Sequence, residues 1–239
     1  MIKTQLKQKS KKYILWFKEI SKKDVLLVGG KNASLGEMFS KLTKKGIRVP
    51  DGFAITAKAY WYFLKKNKLL PKLNSLFKNL AAKNIKNLQK VGKEARNLIL
   101  RAEAPNDLKK DIIMAYRKLE KEYGEDCQAA VRSSAVSEDQ PTASFAGQFE
   151  TFLNVSGEEN LLGAVKKCLA SNFNDRVIAY REEKGFPQLK FALSVGVQKM
   201  IRSDLASSGI IFTLDTETGF ENVILINSVW GVGEMIVKG

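Results

Sequence analysis

The sequence predicts an α+β fold, and three observations carry that expectation. A strand, glycine, helix pattern opens the chain after Asp24, lysine-rich amphipathic helices fill its middle, and Val-, Ile-, Phe- and Leu-rich runs separated by polar or glycine turns close it. The closing runs read as adjacent strands of a largely antiparallel sheet.

Taken in order, residues 1–23 are a lysine-rich segment whose short apolar run, Tyr13 to Phe17, is too brief for a signal-peptide core or a membrane span. From Asp24, VLLVGGK reads as a strand running into a glycine turn. SLGEMFSKLTKKG follows, with Leu35, Met38, Phe39 and Leu42 at helical spacing and Gly46 as the stop. RVPDGFAIT reads as a turn and a short extended segment. From about Ala57 to Tyr123 come amphipathic helices broken near Pro71, Asn84 and Pro105, with Leu73, Leu76, Phe77 and Leu80 as a core stripe and Trp61 as core. Two extended runs then flank a loop, and a helix spans about Glu158 to Phe173, continuing with a break to Glu183. FALSVGVQKMI, SSGIIFTLD and NVILINSVW read as adjacent strands.

With 239 residues and 44% apolar content the chain can bury a substantial core, so bulk disorder is not expected. Its formal charge of +15 raises nucleic acid or an anionic membrane as partners. Neither is favoured, because only eight of the 40 basic residues are arginine, the lysines are interleaved with glutamate on helical faces, and no zinc-ligand spacing or RNP-like run accompanies them. Cys127 and Cys168 stand alone, which fits a reducing, cytoplasmic setting.

The stretch VRSSAVSEDQPTASFAGQFETFLNV, Val131 to Val155, is the strongest pointer to chemistry. Backbone N–H groups of a Ser/Gly/Ala loop can approach phosphate oxygens, hydroxyls add donors, and a guanidinium such as that of Arg132 can clamp two oxygens at once. The competing reading is an ordinary connection whose arginine sits in a surface ion pair. VGGKNAS places Lys31 directly after paired glycines, although the spacing is not that of a Walker A loop. Gln198 and Met200 occupy alternate positions of one strand and could present an amide and a soft apolar surface to a purine. Asp215, Glu217 and Glu234 are acidic candidates for Mg²⁺, with turn residues as the alternative reading.

Together, VGGKNASLGEMFSKL, VPDGFAITAKAY, the Val131–Val155 stretch, FNDRVIAYR, VQKMIRSDLASSGIIFTLDTETGF and WGVGEMIVKG resemble the N-terminal nucleotide-binding region of the phosphoenolpyruvate synthase (pyruvate, water dikinase) family, whose relatives include pyruvate phosphate dikinase and rifampicin phosphotransferase. The resemblance implies a partial ATP-grasp domain over residues 24–239, with ATP between two α+β subdomains. In that family the β-phosphoryl group of ATP passes to a histidine on a separate domain and then to pyruvate, giving phosphoenolpyruvate, AMP and phosphate. On the same ground Lys31 and Arg132 become the catalytic phosphate-binding cations. Ser133, Ser134, Ser144, Gly147, Gln148, Thr151, Gln198 and Met200 complete a nucleotide site, with the ASFAGQ loop covering the phosphates. The chain has no histidine. It also lacks the family's D-x-E-W and Leu-Gln-x-Arg segments, which lie further along in the family and supply Mg²⁺ ligands and a phosphate contact. The expectation is a chain that needs ATP and Mg²⁺ but neither completes the reaction nor binds MgATP tightly by itself, with a separate chain or domain carrying the phosphohistidine and the pyruvate site. Alternatives are a stand-alone nucleotide-binding or docking module and the ATP-binding part of a rifampicin phosphotransferase.

Overall fold

The computed structural model describes residues 8–124, 127–136, 139–140, 143–144, 149–233 and 236. The chain divides into two compact units, Met1–Met200 and Ile201–Gly239. In the first, five strands form a sheet: β1 (Ile14–Trp16), β2 (Gly52–Ile55), β3 (Ala129–Ala135), β6 (Thr151–Val155) and β7 (Leu193–Lys199), in the order β1-β2-β7-β3-β6 with every pair antiparallel. Two further short strands, β4 (Asp139–Gln140) and β5 (Ala143–Ser144), pair with each other. The α+β expectation holds. β1 lies within the lysine-rich segment, where Leu15, Phe17 and Ile20 are buried.

The helices are α1 (Val25–Leu42), α2 (Ala57–Lys66), α3 (Leu69–Lys78), α4 (Ile85–Arg101), α5 (Asn106–Tyr123), α6 (Glu158–Ala170) and α7 (Asp175–Glu183). They sort to the two faces of the sheet by the period-2 alternation of its strands. Phe53, Ile55, Val131, Leu193, Val195 and Val197 join the large core built with α2 to α7. On the other face Ala54 joins a smaller core of Leu15, Phe17, Ile20, Val28 and Ala33, which belongs to α1 and the turns before it. The alternate residues of β3 and β7 on that second face are small or polar: Ala130, Arg132 and Ser134 opposite Gln198, Gly196 and Ser194. A helix can lie close over such a surface, and the gap it leaves is polar.

Three sequence expectations are corrected here. VLLVGG is helical rather than a strand. A short apolar run cannot be assigned by periodicity alone, and local bonding decides it: the Ser21 N–H and Oγ–H both donate to Asp24 Oδ2, at 2.9 and 3.1 Å, winding the chain into a 3₁₀ turn at Lys22–Asp24 that α1 continues. The helix break expected near Pro71 falls at Asn67–Lys68, with Lys68 at φ 50°. Pro71 sits in the first turn of α3, where its missing N–H costs nothing because those donors lack intrahelical partners. Finally, FALSVGVQ is not a neighbour of the two later strands. It is the central strand β7, buried on both faces, whereas β8 (Ser207–Phe212) and β9 (Leu225–Trp230) pair with each other in the second unit. Strong β propensity identifies a strand without naming its partner.

Other boundaries agree with the sequence reading. Breaks at Asn84 and Pro105 are the N-caps of α4 and α5, the Glu158–Phe173 helix ends in a 3₁₀ turn before α7, and Gly46 stops the first helical segment in the left-handed region at φ 81°. Among the described residues no helix is long and apolar enough to cross a membrane.

Tyr116 ties the helical layer to the sheet. Its buried hydroxyl donates to Cys127 O at 3.0 Å and accepts from Gly157 N at 3.1 Å, joining α5 to the entry of β3 and to the N-terminus of α6. Tyr116→Phe leaves a carbonyl and an N–H without this partner, and a destabilisation of about 1–3 kcal/mol is expected. Urea unfolding reads this as a lower midpoint at unchanged slope, and a midpoint equal to that of the parent would show that the hydroxyl does not brace the two layers.

Candidate functional site

The site begins with a break in a helix. Within α1, Gly29 has φ 76° and ψ 166°, far from helical values, so a first turn at Val25–Val28 is followed by a redirected helix that starts at Gly30. The redirected helix carries Lys31, Ser34, Leu35 and Met38 at i, i+3, i+4 and i+7, one face of an α-helix. That face lines a pocket of about 360 Å³, whose other wall is Arg132, Gly196 and Gln198 from β3 and β7, with Gly30 and Asn32 completing the lining. The volume falls in the range of small-molecule pockets, about 300–1,000 Å³.

The sheet side follows from strand register. Arg132 pairs with Gly196, and Ala130 with Gln198. The arginine therefore stands beside a residue with no side chain, and the glutamine is next but one along the same face. Burial of its surroundings lowers the Arg132 pKa from its usual value through desolvation, while its side chain stays solvent-accessible. No carboxylate among the described residues forms an ion pair with it. An arginine remains charged under these conditions, so it brings a positive charge to the pocket. Gln198 is mostly buried, and one of its amide N–H groups donates to Pro50 O at 3.2 Å, which fixes the plane of the amide.

Asn32 joins the two walls. Its backbone N–H donates to Ser134 Oγ at 3.2 Å, and its side-chain Nδ2 donates to Val28 O at 3.1 Å and Ser194 Oγ at 3.0 Å. Ser194 Oγ donates in turn to Ile55 O at 2.7 Å. The helix is thereby bonded to β3 and β7, and through β7 to β2.

Of the residues expected from sequence, Lys31, Arg132 and Gln198 come together in this pocket from three separate segments. Ser134 lies directly beneath α1, fully buried, accepting from Asn32 N. Ser133 points to the opposite face, where its hydroxyl donates to Glu150 O at 2.8 Å. Thr151 is on the edge strand β6, paired with Arg132 through the backbone and outside the pocket lining. Met200 lies beyond the end of β7 and its N–H donates to Gln128 O at 2.8 Å, so the alternation that placed it beside Gln198 stops one residue too soon. The side chain of Ser144, together with Gly147, Gln148 and Glu234, lies outside the described residues.

In the second unit Asp215 serves a turn. Its Oδ1 accepts from Glu217 N at 3.0 Å and its Oδ2 from Thr218 Oγ1 at 2.8 Å, and these bonds, the backbone one foremost, hold its carboxyl below the usual range. Among the described residues no three His, Cys, Asp or Glu side chains converge as a metal site, and no carboxylate lines the pocket. The described residues do not by themselves fit a Mg²⁺ site.

Asn32, Ser34, Leu35, Met38 and Gly196 were not anticipated as site residues. Leu35 and Met38 were noted only for their helical spacing; Met38 is 40% exposed and both line the pocket. The available signal was the helical spacing of these residues from Lys31.

A family model described as the pyruvate phosphate dikinase AMP/ATP-binding domain matches residues 25–239. The chain is 51% identical over 229 residues to a phosphoenolpyruvate synthase of Helicobacter pylori, covering 95% of this chain and 28% of that protein. It is 50% identical to one of Aquifex aeolicus, covering 97% and 27%, and 47% identical to one of Escherichia coli, covering 95% and 28%. The chain therefore spans little more than a quarter of the length of these relatives.

Proposed function

Because the chain belongs to the pyruvate phosphate dikinase family through its AMP/ATP-binding domain, we propose that it is the ATP-binding part of a pyruvate, water dikinase, with its phosphate site at the Lys31–Arg132 pocket. The observation that carries this is the meeting of Lys31, Arg132 and Gln198 around one cavity from elements far apart in sequence. Arg132 supplies a planar fork for two phosphate oxygens, and Lys31 supplies a compact charge at the start of the redirected helix, whose N–H groups favour an anion. Leu35 and Met38 give an apolar wall, and the oriented amide of Gln198 offers hydrogen bonds to a purine edge. Phosphoryl transfer depends mainly on positioning and on neutralising oxygen charge, which is what two cations on rigid elements provide.

In this reading residues 24–239 are part of an ATP-grasp domain of a cytoplasmic enzyme. The β-phosphoryl group goes to a histidine outside this sequence, since the chain contains none, and from there to pyruvate, yielding phosphoenolpyruvate with release of AMP and phosphate. Mg²⁺ bound to the nucleotide would add charge neutralisation at the phosphates, and no step of this chain's own residues is assigned to it.

A ¹⁵N NMR titration of the 239-residue chain with ATP tests the site. Saturable shifts are expected at the amides of Gly30, Lys31, Gly196 and Gln198, with little change in α3 and α4. Absence of these shifts up to about 10 mM ATP would remove the pocket as the nucleotide site.

A further inference from the structure

We propose that Asn32 is a positioning residue that sets the separation of the two pocket cations; the proposal deepens, and rests on, the phosphate reading of the pocket. Lys31 precedes Asn32 on α1, and Arg132 is two residues from Ser134 on the same face of β3. The bond from Asn32 N to Ser134 Oγ thus joins the two cation-bearing elements within two residues of each cation.

The side chain completes the joint. In an unbroken helix the N–H of residue 32 would donate to the carbonyl of residue 28. Across the break at Gly29 the backbone N–H goes to Ser134, and the Asn32 carboxamide reaches Val28 O in its stead. Its Nδ2 also donates to Ser194 Oγ on β7. One amide group, the only common neutral side-chain end with two N–H donors, therefore holds the first turn, the redirected helix and the central strand. Gly196 makes room for it: a Cβ there would lie 2.3 Å from Asn32 Oδ1. The group is 1% exposed, so these bonds are shielded from competing water. An alanine or leucine at 32 keeps the backbone bond to Ser134 and loses both side-chain bonds, which frees the helix to shift Lys31 relative to Arg132.

The test is a double-mutant cycle on the full chain with inorganic tripolyphosphate as the probe, since it carries phosphate charge and no base. Lys31→Ala is expected to weaken binding about ten-fold when Asn32 is present. With Asn32→Ala the same change should cost less than about two-fold, because Lys31 is already displaced. Asn32→Leu, with the branching and heavy-atom count of asparagine but no donors, is the second variant should the alanine protein be unstable. If Asn32→Ala or Asn32→Leu lowers stability while the Lys31→Ala penalty stays ten-fold, Asn32 is merely structural and the proposal fails. Hydrogen exchange supplies a readout that needs no ligand. Amides of Lys31–Leu35 should exchange about ten-fold faster in the variant, with Val195–Gln198 unchanged; equal rates in both segments would overturn the proposal. A parent chain that binds no tripolyphosphate refutes the phosphate site, and the exchange result still decides whether Asn32 holds the helix.

Discussion

Arg132→Ala is expected to weaken ATP binding by about ten- to a hundred-fold, the loss of one or two charge-assisted hydrogen bonds, while changing folding stability by no more than about 0.5 kcal/mol. The two halves of that expectation have separate causes. Binding suffers because Arg132 is the pocket's cation on the sheet side, standing beside the bare backbone of Gly196, where a ligand can approach it. Stability is spared because the guanidinium is solvent-accessible and forms no ion pair among the described residues, so its removal orphans no partner among them. Its pKa, lowered by desolvation, points the same way: burial of its surroundings disfavours the charge in the folded protein. Arg132→Lys should recover only part of the affinity, because an ammonium cannot span two oxygens in one plane. NMR titration for affinity and thermal or urea unfolding for stability check the pair. An alanine variant that binds ATP as the parent does would assign the arginine to some other partner; one that unfolds early would make it a structural residue.

Much of this was legible from residue types alone, and what was not has identifiable physical causes. Lys31, Arg132 and Gln198 could be singled out because cations after paired glycines, an arginine beside small hydroxyl residues and an amide on an alternating strand are each unusual. Their meeting in one pocket depends on the order β2-β7-β3, which places β7 between strands more than 70 residues away from each other in sequence, and nothing in the alternation of β7 names those neighbours. The helix at Val25–Val28 was misread because a run of four apolar residues fits a strand equally well; the deciding bonds come from Ser21 and Asp24, just upstream of that run. The place of Met38 in the pocket was not legible for a different reason. Helical spacing establishes that residues share a face, and whether that face meets core or cavity is settled by what lies opposite, here Gly196 and Arg132 rather than an apolar side chain. Ser133 and Ser134 show the converse limit. They are adjacent, so a strand must send them to opposite faces, and both hydroxyls are engaged in internal hydrogen bonds, which a motif-level reading of RSS as a cluster of donors cannot reveal.

Gly29→Ala should be the most damaging single-methyl addition in the first unit, costing about 3 kcal/mol or more and abolishing ATP binding in whatever fraction remains folded. Two independent penalties act at this position. The backbone at φ 76°, ψ 166° lies in a region that residues with a Cβ scarcely populate, and leaving it would straighten the break that redirects α1. Even with the backbone held, the new methyl would sit 2.3 Å from Ser134 Oγ, 2.5 Å from Ser134 O and 2.7 Å from Ala135 O. Two of those atoms are carbonyl oxygens of β3, part of a backbone held in register with β7, so they cannot swing aside as a side chain would. Either α1 lifts from β3, which separates Lys31 from Arg132 and stretches the Asn32–Ser134 bond, or β3 itself distorts. The contrast with Gly46 tests the logic. That glycine is also left-handed, at φ 81°, but a Cβ there meets nothing within 4 Å, so Gly46→Ala pays the conformational cost alone, about 1 kcal/mol, and keeps the pocket. Urea unfolding of the two variants, with ATP titration of each, separates the contributions. Equal losses of stability would mean that backbone conformation alone sets the demand for glycine at 29. A larger loss at 29 together with lost binding would mean that the close approach of α1 to β3 is what builds the site.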